Sequence, residues 1–196
     1  EKGVTLAEIA SIANVGRHGM SVARDLPVAI ERTSYFKPKQ AAYSSGISAI
    51  IVNVDVETGK IEILRSILGH DCGTVLNPLL VEGQVLGGHA HGIGNAIYEE
   101  AKYSKDGQPL TVSYLDYALP TAIEVPTPEL FHVVSPSPLN PLGVKGSGEG
   151  GTVPLPASVA NAVEDALRPF GARIREIPLT PDRVLAAIYG FGKREA

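Results

Sequence analysis

The sequence predicts an α+β fold of mixed sheets with packed helices, and three observations carry that prediction. Strand-like and helix-like stretches follow one another irregularly, without the strand–helix repeat of a parallel α/β sheet. Ile47 to Val56 is rich in β-branched residues, and Ile61 to Leu68 alternates after it. Between them, Glu57-Thr58-Gly59-Lys60 puts glycine where a hairpin turn needs φ > 0. Asn77-Pro78 and Thr180-Pro181 each pair a capping side chain with a proline suited to a first helical turn.

The remaining elements follow in order. Thr5 with Glu8 three residues on forms a capping box, so a short helix is expected over 5–13. Weak alternation predicts a strand over Pro27 to Phe36. The run from Gly69 to Pro78 reads as a polar loop. A helix from about Leu79 to Glu99 is crowded by Gly83, Gly87, Gly88, Gly92 and Gly94. Each costs about 1 kcal/mol relative to alanine in a helix interior, so this helix is expected to approach another backbone or a cofactor closely. A second hairpin is expected around Lys105-Asp106-Gly107-Gln108, and a short strand at Phe131 to Val134. A helix over about 155–168, a strand at Ala172 to Ile177 and a last helix with Val184, Leu185 and Ile188 on its apolar face complete the chain. No linker divides residues 1–196, which are read as one domain.

Composition narrows the function classes. With 196 residues, 44% of them hydrophobic and 19% charged, the chain is globular in type. A net charge of -4 gives no basis for nucleic-acid binding. A single cysteine excludes a disulfide framework or a cysteine-rich metal centre within the chain, which fits a reducing, cytoplasmic setting. No apolar run approaches the roughly 20 residues that span a bilayer. The chain starts at Glu1 and opens straight into a capped helix, as a piece of a longer polypeptide is expected to do.

The strongest functional signal is Gly143-Val144-Lys145-Gly146-Ser147-Gly148-Glu149-Gly150-Gly151, one carboxylate in a loop of small residues. Such a backbone can approach a ligand closely and aim Glu149 at a reacting centre. It is not a P-loop, because no Lys-Ser/Thr pair follows the glycines. It is not a dinucleotide fingerprint, because Pro136-Ser137-Pro138 stands where the strand should be. Lys145 has the charge to pair with a phosphate or to sit in solvent, and Gln84 needs partners if buried. His89 and His91 point to different sides of a helix and do not form a metal pair. His70-Asp71-Cys72 lacks the orienting third group of a cysteine nucleophile.

Four ordered motifs carry a resemblance: Val54-Asp55-Val56-Glu57-Thr58-Gly59, Asp71-Cys72-Gly73-Thr74-Val75-Leu76-Asn77-Pro78, Glu82-Gly83-Gln84, and Gly146-Ser147-Gly148-Glu149. Together they resemble the C-terminal molybdopterin-binding part of the molybdenum hydroxylase large subunit, the family of xanthine dehydrogenases, aldehyde oxidases and aerobic carbon monoxide dehydrogenases. Asp71-Cys72-Gly73-Thr74 and Pro136-Ser137-Pro138 incline it toward the carbon monoxide dehydrogenase branch. The resemblance implies a carbon oxidation with water as the oxygen source and Glu149 as the active-site base, expected to be buried among glycines and apolar neighbours. It further implies molybdopterin as cofactor, with the cytosine dinucleotide among its forms. The expected cofactor contacts are the backbone N–H groups of Lys145, Gly146, Ser147 and Gly148, together with Gln84. No protein side chain is expected to ligate the metal. Iron–sulfur clusters and FAD are expected on partner chains or domains, alongside the remaining large-subunit segments. Cys72 does not correspond to the copper-holding cysteine of the carbon monoxide enzymes. The isolated chain is expected to be inactive. The substrate stays open among aldehydes, N-heteroaromatics, carbon monoxide and acyl thioesters. The rival expectation is a structural subunit of the same fold without cofactor.

Overall fold

The computed structural model describes residues 3–13 and 33–190. The strand expected over Pro27 to Phe36 lies mostly outside them, and residues 33–36 are not in a strand. The chain contacts group into two compact units, Glu1–Lys37 and Pro38–Ala196. In the first, helix α1 (Leu6–Ala13) begins with the capping box. The Thr5 N–H and hydroxyl both donate to Glu8 Oε2, at 2.7 and 2.8 Å, and the Glu8 N–H donates back to Thr5 Oγ1 at 3.2 Å.

The second unit is built on a three-stranded sheet in the order β1 (Ser45–Val54), β2 (Ile61–Asp71), β3 (Glu129–His132). β1 and β2 form the expected antiparallel hairpin, with a bulge between Ile51 and Val52, and β3 joins β2 in parallel. At the turn, Asp55 Oδ1 accepts the N–H groups of Glu57 and Thr58, and Gly59 takes φ 75°. β2 runs on through Gly69-His70-Asp71, so the expected polar loop starts three residues later. Pairing Asp71 with Ser45 keeps those residues in the ladder.

Helix α2 (Pro78–Ile93) is capped by Asn77, whose side chain accepts from the Leu80 N–H, and it passes into a π-helical turn over Gly94–Tyr98. Helix α3 (Leu155–Ala166) covers one face of the sheet, and α4 (Pro181–Tyr189) closes the unit. The core joins Leu68 of β2, Val85 and Ile93 of α2, Leu155, Val159 and Val163 of α3, Leu179, and Val184 of α4, all essentially inaccessible. Each such aliphatic side chain contributes about 1.5–3 kcal/mol by leaving water. On the opposite face of the sheet Ile47, Ile51 and Phe131 are exposed.

One expected strand does not form. Ala172 to Ile177 is not a strand, because the Ile174 N–H donates to Glu164 Oε2 at 2.8 Å instead of to a neighbouring strand. The second expected hairpin forms as a short one: Tyr103 bridges Pro109 antiparallel, the Ser104 N–H donates to the Gln108 carbonyl at 2.9 Å, and the Leu110 N–H donates to the Lys102 carbonyl at 2.8 Å.

Candidate active site: the glycine-rich loop

The stretch from Gly143 to Thr152 is irregular backbone fixed at both ends. At its start, Gly73 at the exit of β2 bridges Val144, and a Cβ on Gly73 would overlap the Gly143 carbonyl. Gly73 takes φ 70°, so glycine is needed there twice over. Asn140 staples Val144 through both ends of its amide, at 2.8 and 3.1 Å. The Lys145 N–H donates to the Cys72 carbonyl at 2.8 Å, and the Gly146 N–H to the Ala42 carbonyl at 2.9 Å. At its end, a Cβ on Gly151 would overlap the Val85 carbonyl of α2, and Thr152 Oγ1 donates to the Gly88 carbonyl at 3.1 Å. The Glu149 carbonyl accepts the N–H groups of Thr152 and Val153, which turns the chain into α3.

The Lys145 side chain is neither solvated nor free for a phosphate. Its ammonium donates to Asp71 Oδ2 at 2.8 Å and to Ser135 Oγ at 3.2 Å. Asp71 also accepts the N–H groups of Gly73 and Ser135. Burial alone would push the Asp71 carboxyl up. The Lys145 ammonium and the two N–H groups outweigh it and hold the carboxyl below its ordinary range.

The predicted site residues therefore divide. The N–H groups of Lys145 and Gly146 are used within the chain, by the Cys72 and Ala42 carbonyls. Among the described residues no acceptor takes the N–H of Ser147, Gly148, Glu149, Gly150 or Gly151. Ser147 Oγ is inaccessible to water and has no partner among the described residues. Glu149 is exposed, not buried as expected, because Gly148 and Gly150 on either side offer no side chain to cover it. Gln84 is exposed too, on α2 one turn before Gly88. Asp71, Ser135 and Ala42 were not among the predicted residues. Asp71 lies 74 residues from Lys145, and no local pattern signals that pairing.

The glycines of α2 explain themselves in two groups. Gly88 and Gly92 face the loop and α3: a Cβ would come 2.9 Å from Thr152 Oγ1 at Gly88, and would strike Leu155 at Gly92. Gly83 and Gly87 face open space. His89 is buried and its Nε2 meets the Pro126 carbonyl at 3.1 Å, so it is a core histidine, whose pKa burial pushes down. A cleft at the other end of α3, lined by Asn161, Glu164, Asp165, Arg168 and Arg173, has its charges paired with one another and shares nothing with the loop.

The molybdopterin cofactor-binding domain family matches residues 1–126. The chain belongs to that family. It is 40% identical over 162 residues to the nicotine 6-hydroxylase large subunit of Paenarthrobacter nicotinovorans, covering 83% of this chain and 20% of the relative. It is 38% identical over 142 residues to the carbon monoxide dehydrogenase large chain of Afipia carboxidovorans, covering 72% of this chain and 18% of that one. The crystal structure of a Cu,Mo-CO dehydrogenase superposes with a TM-score of 0.83 at 33% identity, over 94% of this chain and 22% of that chain. This molybdopterin cofactor-binding domain thus spans about one fifth of the length of the curated relatives it matches, and its α+β fold is that of molybdenum hydroxylase large subunits. The two sequence relatives are so nearly equal in identity that they do not separate the carbon monoxide branch from the others.

The residues present fit a pterin. Consecutive free N–H groups and an orphaned buried hydroxyl on Ser147 form a neutral donor surface suited to a polar, flat group. Among the described residues no group of three or more His, Cys, Asp or Glu converges on a metal. None of the described helices is long and apolar enough to cross a membrane.

Proposed function

We propose that residues 1–196 are the C-terminal cofactor-binding piece of a molybdenum hydroxylase large subunit, and that Glu149 is its active-site base. The observation that carries this reading is the free carboxylate of Glu149 on a loop braced at both ends. Its side chain makes no hydrogen bond among the described residues, while the backbone on either side is held by β2 and α2. A base must be aimed but uncommitted, and this loop supplies both. Ser147 and Gly148 donate to the cofactor through their N–H groups, and Ser147 adds its hydroxyl. Gln84 contributes from α2, one turn before Gly88.

When bound, the molybdenum cofactor supplies the two-electron oxidation. Glu149 accepts the proton given up as an oxygen derived from water adds to the substrate carbon. Lys145 takes no part in that transfer, since its charge is committed to Asp71, and it serves to fix the loop. The substrate is an electrophilic carbon centre of the aldehyde or N-heteroaromatic kind, and carbon monoxide and acyl thioesters belong to the same test. The cofactor carries a cytosine dinucleotide or the pterin alone. Iron–sulfur and FAD-bearing partners and the remaining large-subunit segments complete the enzyme in the cytoplasm, and this chain alone turns nothing over.

The deciding experiment is molybdenum and pterin analysis of the chain purified from its native host with what co-purifies, followed by turnover of a substrate panel with a dye acceptor. About one molybdenum per chain, with turnover falling by roughly 10²–10⁴ in Glu149→Gln, supports the reading. Absence of both molybdenum and pterin makes the chain a structural subunit, and full turnover by the variant removes Glu149 from its role.

A further inference from the structure

His70 and Asp71, the last two residues of β2, and Cys72 directly after them brace the loop at separate points. The Cys72 carbonyl accepts the Lys145 N–H at 2.8 Å, and the Asp71 carboxylate accepts the Lys145 ammonium at 2.8 Å. Both contacts fall before Glu149 in the chain. The third falls just after it: the imidazole of His70 lies against Gly150, where a Cβ would overlap Nε2 and come 3.3 Å from Cε1. That ring edge leaves no room for a side chain immediately after Glu149, so glycine is required there for space.

His70 is only 1% exposed, and among the described residues neither of its ring nitrogens has a hydrogen-bond partner. A buried imidazole without partners carries its desolvation penalty uncompensated, and an apolar side chain would fill the same space without it. The ring is nonetheless held in one place. His132 packs edge-on against it, with centroids 6.1 Å apart and planes at 75°. The Val133 N–H donates to the His70 carbonyl at 2.9 Å, tying the backbone to the end of β3. A fixed, polar, buried ring is thus presented to the residue next to the candidate base.

We infer that His70 is a positioning residue for Glu149: the imidazole sets the place of Gly150 and so the direction in which the neighbouring carboxylate projects. The inference rests on the reading of Glu149 as the base. It also gives a role to the His70-Asp71-Cys72 run, which has the composition of a reactive site but works as a three-point brace.

The test uses the assembled enzyme that contains this chain. The variants are His70→Ala, His70→Gln, Gly150→Ala, the His70→Ala/Gly150→Ala pair, and Glu149→Gln as reference. The readouts are molybdenum per chain, deuterium exchange of the amides over 146–151, and kcat and KM on the substrate of the panel that turns over fastest. His70→Ala and Gly150→Ala each lower kcat, by roughly ten- to hundredfold, with KM and molybdenum content unchanged. Loop exchange rises in His70→Ala without a rise elsewhere. The pair regains kcat relative to Gly150→Ala, because the methyl takes space the ring has left. His70→Gln, still polar, retains more kcat than His70→Ala.

Parental kcat and loop exchange in His70→Ala would overturn the inference. So would a fall in kcat that merely follows molybdenum loss, the mark of a structural residue. If His70→Ala does not assemble, Gly150→Ala decides, and parental kcat there overturns the inference equally. Full turnover in Glu149→Gln removes both the base and its positioning residue. Lost turnover in Glu149→Gln beside a silent His70→Ala removes only the latter.

Discussion

Asp71 and Lys145, with side chains 12% and 14% exposed, form the ion pair that joins β2 to the loop. Removing one partner leaves the other charged and poorly hydrated, so Asp71→Asn is expected to cost about 3 kcal/mol, read as a lowered Tm at neutral pH. The Asp71 carboxyl is held below its ordinary range. Its contribution is therefore complete above the unfolded value of about 3.9 and fades as pH falls through the folded value. Melts of parent and Asp71→Asn should converge in acid; a gap that widens there would contradict the assignment. Burial, reinforced by His132 and opposed by Asp71, pushes the His70 pKa down. The unfolded chain then binds the proton more readily, so stability is full above about pH 6.5 and falls as pH drops below it. The Tm loss between about pH 7 and pH 5.5 should be smaller in His70→Gln than in the parent. At this scale the sequence singles out Glu149 as a candidate, because a lone carboxylate among glycines is a local pattern. It conceals what Lys145 does, because the partner that neutralises it arrives from 74 residues away.

Helix α2 turns one glycine set inward and leaves another outward. Gly88→Ala and Gly92→Ala push a methyl into Thr152 and Leu155 and are expected to destabilise by about 1–3 kcal/mol. Gly83→Ala and Gly87→Ala meet nothing, and each is expected to stabilise the chain by about 0.5–1 kcal/mol through helix propensity. Thermal melts of the four variants check both signs; a loss of stability at Gly83 or Gly87 would show that this side of α2 is not open. The N-cap offers a separate measure, since Asn77→Ala should cost about 1 kcal/mol. Elements specified by neighbours in sequence were legible: the capping box at Thr5, the hairpin turn at Gly59, the Asn77-Pro78 start. Elements decided by distant competition were not. The 172–177 segment has strand-like residues, yet Glu164 takes the Ile174 N–H. The glycines of α2 announce close approach without saying which of them makes it.

The second unit is built on a small sheet with α3 on one face, while on the other face Ile47 is 65% and Phe131 47% exposed. The chain spans about one fifth of its curated relatives. Expressed without the remainder of such an enzyme, the chain is expected to show no turnover on the substrate panel and to retain its cofactor poorly; steady turnover by the isolated chain would refute that. Fold class and family were legible because motifs in fixed order survive without coordinates. The brace around Glu149 was not, because it is made of contacts between residues far apart in sequence, and this has a bearing on time as well as place. Asp71 must wait for Ser135, 64 residues later, and Gly88 for Thr152, another 64. Contacts of such separation close slowly, because the entropy of the intervening chain is lost before any of them forms. The hairpin can therefore form from neighbours in sequence, whereas the loop that carries Glu149 takes its braced form only after segments 64 to 74 residues apart have met, and a cofactor that needs its N–H groups meets a completed loop only after that.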